Sequence, residues 1–205
     1  LKRFKLITPK HALKHPNWKM GKKITIDSAT MMNKVFEIIE AKKIFNLNYN
    51  QLSILVHPKS YVHAMIKFKN GLTKILIHDT NMTIPIFNSL YPNYQKFIKS
   101  KKLDFKIINN FNFKNIDLKK FPIVKIINHL PMKDSLFETV IVSANDQLVK
   151  LFLQKKIKFN DIAINLLNVI SLVEFKKYKE IVPKNISEIE KLNDYVSLKT
   201  NSLSV

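Results

Sequence analysis

Ile24-Thr25-Ile26-Asp27-Ser28-Ala29-Thr30-Met31-Met32-Asn33-Lys34-Val35-Phe36-Glu37 is the stretch on which the fold turns. Ile24-Thr25-Ile26 reads as a short β-type run. Asp27, Ser28 and Thr30 are helix N-cap candidates, because their side-chain oxygens accept from N–H groups that a first turn leaves unpaired. The pattern that follows predicts a helix from about Met31 to Phe45, with Met32, Phe36, Ile39 and Lys43 near one face. Ser28 is thereby expected at a strand-to-helix junction, where free N–H groups attract an anion. Asn33, Lys34 and Glu37 fall on one face of that helix. An amide, an ammonium and a hydroxyl near one point suit a phosphorylated small molecule. A carboxylate beside them adds a ligand for a hard divalent ion. The same residues equally suit a capped helix carrying a solvated Lys34–Glu37 pair, so spacing alone leaves both readings open.

Upstream, residues 1–23 read as loop and turn, with Pro9, Pro16 and Gly21 as breakers. His15-Pro16-Asn17-Trp18-Lys19-Met20-Gly21 holds the single Trp and one of two glycines. Large apolar side chains on such a loop can close over a site and exclude water, or Trp18 can plug a core edge. His15 precedes proline and is therefore extended, as a surface residue or a ligand. Downstream, Ser53–His57 reads as a buried strand. Tyr61 to Phe68 alternates, with Val62, Ala64, Ile66 and Phe68 on one face and Tyr61, His63, Met65 and Lys67 on the other. Asn70-Gly71 is a strong hairpin signal, since both residues tolerate positive φ, and Leu72 to His78 is the return strand. His57 and His63 on such strands suit structural roles first.

Residues 92–117 are Lys/Asn-rich and read as a linker. Beyond them the period turns helical, near Val124–Leu130, Glu138–Lys155, Asn160–Phe175 and Ile186–Leu198. Breaks at Pro131, Lys156–Phe159 and Pro183 suit a small antiparallel bundle. The expected fold is α/β (α+β): a mixed-sheet catalytic region with helices over 1–91, the linker over 92–117, and a C-terminal α-helical bundle over 118–205.

The chain carries 35 basic against 15 acidic residues, a formal charge of +20. Arg3 is the only arginine, and arginine is the side chain that grips phosphate and guanine edges bidentately. The lysines are spread along the whole chain. A Lys, Asn and Ile excess is expected of an AT-rich genome, which argues against a nucleic-acid partner. No run approaches the roughly 18 apolar residues of a membrane span, so no membrane role is expected. Absence of Cys excludes disulfides and thiolate metal sites. The chain opens Leu1-Lys2-Arg3, with neither an initiator Met nor a signal-peptide pattern, and is expected to be the C-terminal portion of something longer.

The block from His15 through Lys34, followed by Glu37, resembles the 1-deoxy-D-xylulose 5-phosphate reductoisomerase family. His57-Pro58-Lys59-Ser60-Tyr61-Val62-His63 resembles the next block of that family. The Asn70-Gly71 hairpin, Pro85, Leu103-Asp104-Phe105, Ser143-Ala144-Asn145-Asp146 and Phe159 with Asp161-Ile162 fall at matching spacings. The resemblance spans essentially the whole chain. It implies NADPH-dependent isomerisation of 1-deoxy-D-xylulose 5-phosphate, then reduction to 2-C-methyl-D-erythritol 4-phosphate, with Mg²⁺ or Mn²⁺. It further implies that Ser28, Asn33 and Lys34 bind the substrate's phosphate end, and that Glu37 ligates the metal and touches substrate. His15 would contact substrate, Trp18 and Met20 would cover it, and the Gly21 backbone would meet NADPH. His63 would lie near the site. The family's Asp-Ser-Glu metal motif and its NADPH-binding domain would lie upstream, in an N-terminal half that this chain needs. Val35 stands where the family has Gly, Tyr91 replaces a Trp, Tyr94 an Arg, and Val142 and Asp146 an Asn and a Glu. The resemblance also implies a homodimer, in a bacterial cytoplasm or a plastid-type organelle. The alternatives are a catalytically inactive remnant and a Lys-rich binding module.

Overall fold

The structure, a computed structural model, describes residues 7–14, 21–93, 96–102, 104–109 and 111–205. His15, Trp18, Met20, Tyr94 and Leu103 lie outside the described residues. The chain forms two compact units. One combines the segments up to Ser53 with Asp117–Val205, and the other holds Ile54–Ile116. These units cut across the expected boundaries at 91 and 118, because the early helices share a core with the late ones.

The first unit opens with the short helix α1 (Pro9–Ala12), followed by α2 (Lys22–Thr30) and α3 (Met32–Phe45). Ile24-Thr25-Ile26, expected as a strand, lies inside α2. Thr25, Ile26, Asp27 and Thr30 are buried there while Ile24 is exposed, a helical rather than a two-residue period. Packing of that stripe overrides the β-preference of the branched residues. α3 matches its predicted span, but its buried stripe is Met32, Val35, Ile38, Ile39 and Lys42 rather than the expected Met32, Phe36, Ile39 and Lys43: Phe36 is half-buried and Lys43 exposed. Each fully buried apolar side chain of this kind contributes about 1.5–3 kcal/mol.

The second unit holds β1 (Leu55–Val56), β2 (Val62–Lys67), β3 (Thr73–Ile77), α4 (Thr83–Leu90), α5 (Phe105–Ile108) and β4 (Lys114–Asn115). The expected buried strand Ser53–His57 reduces to two residues that pair antiparallel with β4, and Leu55 is exposed. The stretch read as a linker thus supplies a strand. β2 and β3 form the anticipated hairpin. Its turn is a three-residue loop: the Phe68 N–H donates to the Leu72 carbonyl at 2.8 Å, and only Gly71 takes positive φ, at 89°. The strict alternation breaks at His63, which bulges between the pairs Val62–Ile77 and Ala64–Leu76.

The first unit resumes with a 3-10 helix over Pro122–His129, where an α-helix was expected. Then follow α6 (Phe137–Leu153), α7 (Phe159–Ser171), α8 (Val173–Lys176) and α9 (Ile186–Ser204). α6 is central and packs against α7, α9 and α2. Its core includes Phe137, Val140, Ile141, Ala144, Leu148 and Phe152, and α7 and α9 contribute Ile162, Leu166 and Val196. Helices with small sheets followed by a helical bundle agree with the expected α/β class, but in place of the expected mixed sheet the described residues form two separate antiparallel pairs. Among those residues no helix is long and apolar enough to cross a membrane.

His57 closes the second unit's first turn. Its buried ring accepts at Nδ1 from the Tyr61 N–H (3.1 Å) and the Val62 N–H (3.4 Å), which fixes the neutral tautomer with the proton on Nε2. Burial, with the nearby Lys59 charge, pushes its pKa below the ordinary 6.5. A lowered folded-state pKa means that the contribution to stability is complete above pH 6.5 and is lost as pH falls through the folded value. We predict that the His57 ring proton resonance titrates below 6.5 and that unfolding of the hairpin unit becomes easier over the same interval. An ordinary His57 titration, measured by NMR, would contradict this.

Candidate active site

α2 and α3 meet at Met31, which adopts a left-handed conformation (φ 70°) and caps both helices. Its N–H donates to the Ser28 carbonyl at 3.3 Å. Thr30 locks the junction: its hydroxyl donates to the Asp27 carbonyl at 3.2 Å and accepts from the Met32 N–H at 3.4 Å. Ser28 therefore sits in the last turn of a helix rather than at the expected strand-to-helix junction. Neither Asp27 nor Ser28 caps α3, and no side chain of Met31 can do so.

The electrostatics at this corner favour an anion. A helix N-terminus carries partial positive charge. The first turn of α3 holds no acidic residue, and Lys34 adds a full positive charge there. Asn33 is half-buried, and its Oδ1 position is buried with no hydrogen-bond partner. The two amide atoms can exchange places by a flip, so the unpaired position can hold either the oxygen or the nitrogen. Lys34 Nζ meets both Glu37 oxygens, at 2.8 and 2.7 Å. The two side chains are 37% and 52% exposed, so the pair is a solvated one and is available for exchange with a ligand.

Beneath this corner lies a polar cluster that sequence reading missed. Asp27 is 2% exposed and Asn145 is fully buried, and the Asn145 amide donates to the Asp27 carboxylate at 2.9 Å. Lys23 bridges Asp27 at 2.8 Å and Asp146 at 2.9 Å, and lies over the Phe36 ring at 4.8 Å. Burial raises the Asp27 pKa above its ordinary value, opposed by the hydrogen bonds from Lys23 and Asn145. Burial works to lower that of Lys23, but the Asp27 and Asp146 carboxylates outweigh it and raise it. The signal available in the sequence was Asn145 itself, one turn from Ile141 and Leu148 on the apolar face of α6.

Gly21 precedes α2 at φ −59°, and a Cβ added there would meet nothing within 4 Å. Packing among the described residues therefore does not demand glycine at this position. His63 belongs to the second unit. Its ring stacks on that of His78, centroids 3.5 Å apart and planes parallel, and its Nε2 lies 3.3 Å from the His78 carbonyl oxygen. Ser28, Asn33, Lys34 and Glu37 are thus brought together on two adjoining helices. His15, Trp18 and Met20 fall outside the described residues. Among the described residues no three His, Asp or Glu side chains gather into a metal site. Glu37 offers one oxygen ligand and no complete centre.

Residues 1–45 match the model of the 1-deoxy-D-xylulose 5-phosphate reductoisomerase C-terminal domain, and residues 78–199 match that of the DXP reductoisomerase C-terminal domain. The chain belongs to the 1-deoxy-D-xylulose 5-phosphate reductoisomerase family. It is 67% identical over all 205 residues to the reductoisomerase of Pelagibacter ubique (strain HTCC1062), covering 53% of that protein. It is 39% identical to that of Sulfurihydrogenibium sp. (strain YO3AOP1), over 87% of this chain and 48% of the relative. Among solved structures, the Zymomonas mobilis reductoisomerase in complex with NADPH superposes with a TM-score of 0.83 at 28% identity, over 99% of this chain and 51% of the other. A DOX-P reductoisomerase in complex with NADPH, fosmidomycin and magnesium gives 0.87 at 30% identity, over 98% and 50%. The chain spans about half the length of the reductoisomerases it matches.

An exposed ion pair contributes little to stability. Glu37→Gln is expected to change the unfolding free energy by less than about 0.5 kcal/mol, measured by urea titration. A larger loss would show that the pair is structural and not held ready for a ligand.

Proposed function

We propose that this chain supplies the phosphate-binding half of a reductoisomerase site. The complete protein would isomerise 1-deoxy-D-xylulose 5-phosphate by rearranging its carbon skeleton and reduce the resulting aldehyde with NADPH to 2-C-methyl-D-erythritol 4-phosphate. The observation that carries this is the α2–α3 corner: a positive helix end with no acidic residue in its first turn, a hydroxyl, an orphaned amide and a lysine beside one carboxylate.

The Ser28 hydroxyl and the Asn33 amide donate to phosphate oxygens, and the Lys34 ammonium neutralises them. Gripping the unreactive phosphate fixes the orientation of the reacting carbons, so remote binding energy serves the chemical step. His15 contacts the substrate, His63 is the family's histidine near the site, and Trp18 and Met20 cover the substrate to exclude water from the aldehyde and the hydride. The Gly21 backbone lies against NADPH. Glu37 would hold a divalent ion, Mg²⁺ or Mn²⁺, which when bound polarises substrate oxygens. Its other ligands and the nucleotide-binding domain would come from an N-terminal half outside these residues. In this division, 1–91 is the catalytic region, 92–117 the connection and 118–205 the helical region. The exposed Met65, Ile66, Leu72 and Leu76 of the hairpin support a homodimer formed through it. The lysine excess is then compositional and nucleic acid is not a partner. The bacterial relatives support a cytoplasmic setting.

In a complete protein carrying this chain, Glu37→Gln is expected to lower kcat by about a hundredfold or more. Ser28→Ala is expected chiefly to weaken substrate binding by about tenfold, the value of one hydrogen bond to a charged group. Steady-state NADPH oxidation measures both. An unchanged kcat in Glu37→Gln would remove the metal role.

A further inference from the structure

The Asp27 cluster contains no residue assigned to substrate, metal or cofactor, yet it adjoins the phosphate corner directly. Asp27 is the neighbour of Ser28 in the same buried turn, and its backbone carbonyl accepts from Thr30, the residue that holds the Met31 junction. Lys23 lies one turn back on α2 and reaches α3 through the Phe36 ring, next to Glu37. Both partners that pin these two side chains from outside come from consecutive residues of α6, Asn145 and Asp146. Ser143, two positions earlier, donates to Asn193 of α9 at 2.7 Å, so the same stretch of α6 is anchored on its other side.

A core assembled only for stability would place apolar side chains at positions 27 and 145. Burying a carboxylate is costly unless it is paired, whereas a matched apolar pair is often neutral or better. What a buried, directional hydrogen bond adds is a defined position. We infer that Asn145 and Asp146 are positioning residues for the phosphate grip, acting through Asp27 and Lys23 to fix the turn that carries Ser28 and the first turn of α3. This rests on the phosphate reading given above.

The test is a titration of this chain with inorganic phosphate, followed through the amide resonances of Ser28, Asn33 and Lys34, well below each variant's melting temperature. Asn145→Ala is expected to weaken phosphate binding by about tenfold, the loss of one hydrogen bond to a charged group. The exchanged pair Asp27→Asn with Asn145→Asp keeps a donor facing an acceptor and is expected to restore most of the affinity. Leu166→Ala in α7, a cavity far from the cluster in sequence, is expected to lower the melting temperature but leave the affinity unchanged. Should Asn145→Ala fail to fold, the exchanged pair and Asp146→Asn, whose site is half exposed, carry the test: affinity loss in Asp146→Asn supports the inference. Unchanged phosphate affinity in Asn145→Ala, or equal losses in Asn145→Ala and Leu166→Ala, overturns it. If the unsubstituted chain binds no phosphate, or binds it equally well after Ser28→Ala, the phosphate reading itself fails and the inference falls with it.

Discussion

A carboxylate with almost no access to water is the constraint around which the first unit is arranged. Asp27 is held by Lys23 from its own helix and by Asn145 from α6, 118 residues away in the chain. Neither partner is dispensable. Removing Asn145 takes a hydrogen bond from a buried charged group, which typically costs about 1.5–3 kcal/mol, a sizeable share of the 5–15 kcal/mol that a domain has in hand. The pair therefore ties the α2–α3 corner to the bundle more specifically than apolar packing could. Ile26, Met32 and Val35 would tolerate small shifts against α6 and the 3-10 helix, whereas a 2.9 Å hydrogen bond to a buried acceptor does not.

The corner held in this way is locally unfavourable. Met31 takes a left-handed backbone without being glycine, at a cost of about 1 kcal/mol or more. Lys34 stands at the positive end of a helix whose first turn contains no acid. Glu37 offsets that charge through a solvated pair, and such pairs contribute at most about 1 kcal/mol. A phosphate dianion meeting the same ammonium, the same helix end and the orphaned Asn33 amide makes several charge-assisted contacts at once. On the reading proposed above, such a ligand would compete with Glu37 as the partner of Lys34 and would leave the carboxylate open to a cation. Strain, an unpaired amide oxygen and positive charge thus meet at one corner, where the chain departs from local rules.

The parts of this fold that could be read from sequence are those that repeat locally. α3, α6, α7 and α9 show a 3.6-residue apolar period with proline or polar breaks between them, and their observed limits fall close to the reading. The hairpin was legible from Asn70-Gly71, but its loop length was not, because Asn70 keeps negative φ and Gly71 alone turns the chain. The bulge at His63 is set by pairing across the hairpin and leaves no trace in β2 itself. Ile24–Ile26 misled because three residues are too few to distinguish a period of two from one of 3.6. Of the candidate site, the clustering of Asn33, Lys34 and Glu37 on α3, one turn beyond Ser28, was legible because these residues are close in sequence; their roles were not, since spacing alone left a capped helix with a solvated ion pair equally open. Nor was the Asp27–Asn145 contact legible, since nothing in a polar residue on an apolar helix face names its distant partner.

The shared core explains why the phosphate corner and the late helices form one unit although the hairpin region separates them in sequence. α2 and α3 do not bury their apolar stripes against each other alone. α2 also packs against α6, and α3 against the 3-10 helix that buries Ile123 and Ile126. The bundle is consequently the scaffold of the corner and not an appendage to it. A substitution deep in α6 has a direct mechanical route to the turn that carries Ser28, through Asn145 and Asp27. On the reading proposed above, one half of a bipartite site would be held in shape by residues that never meet the reacting atoms.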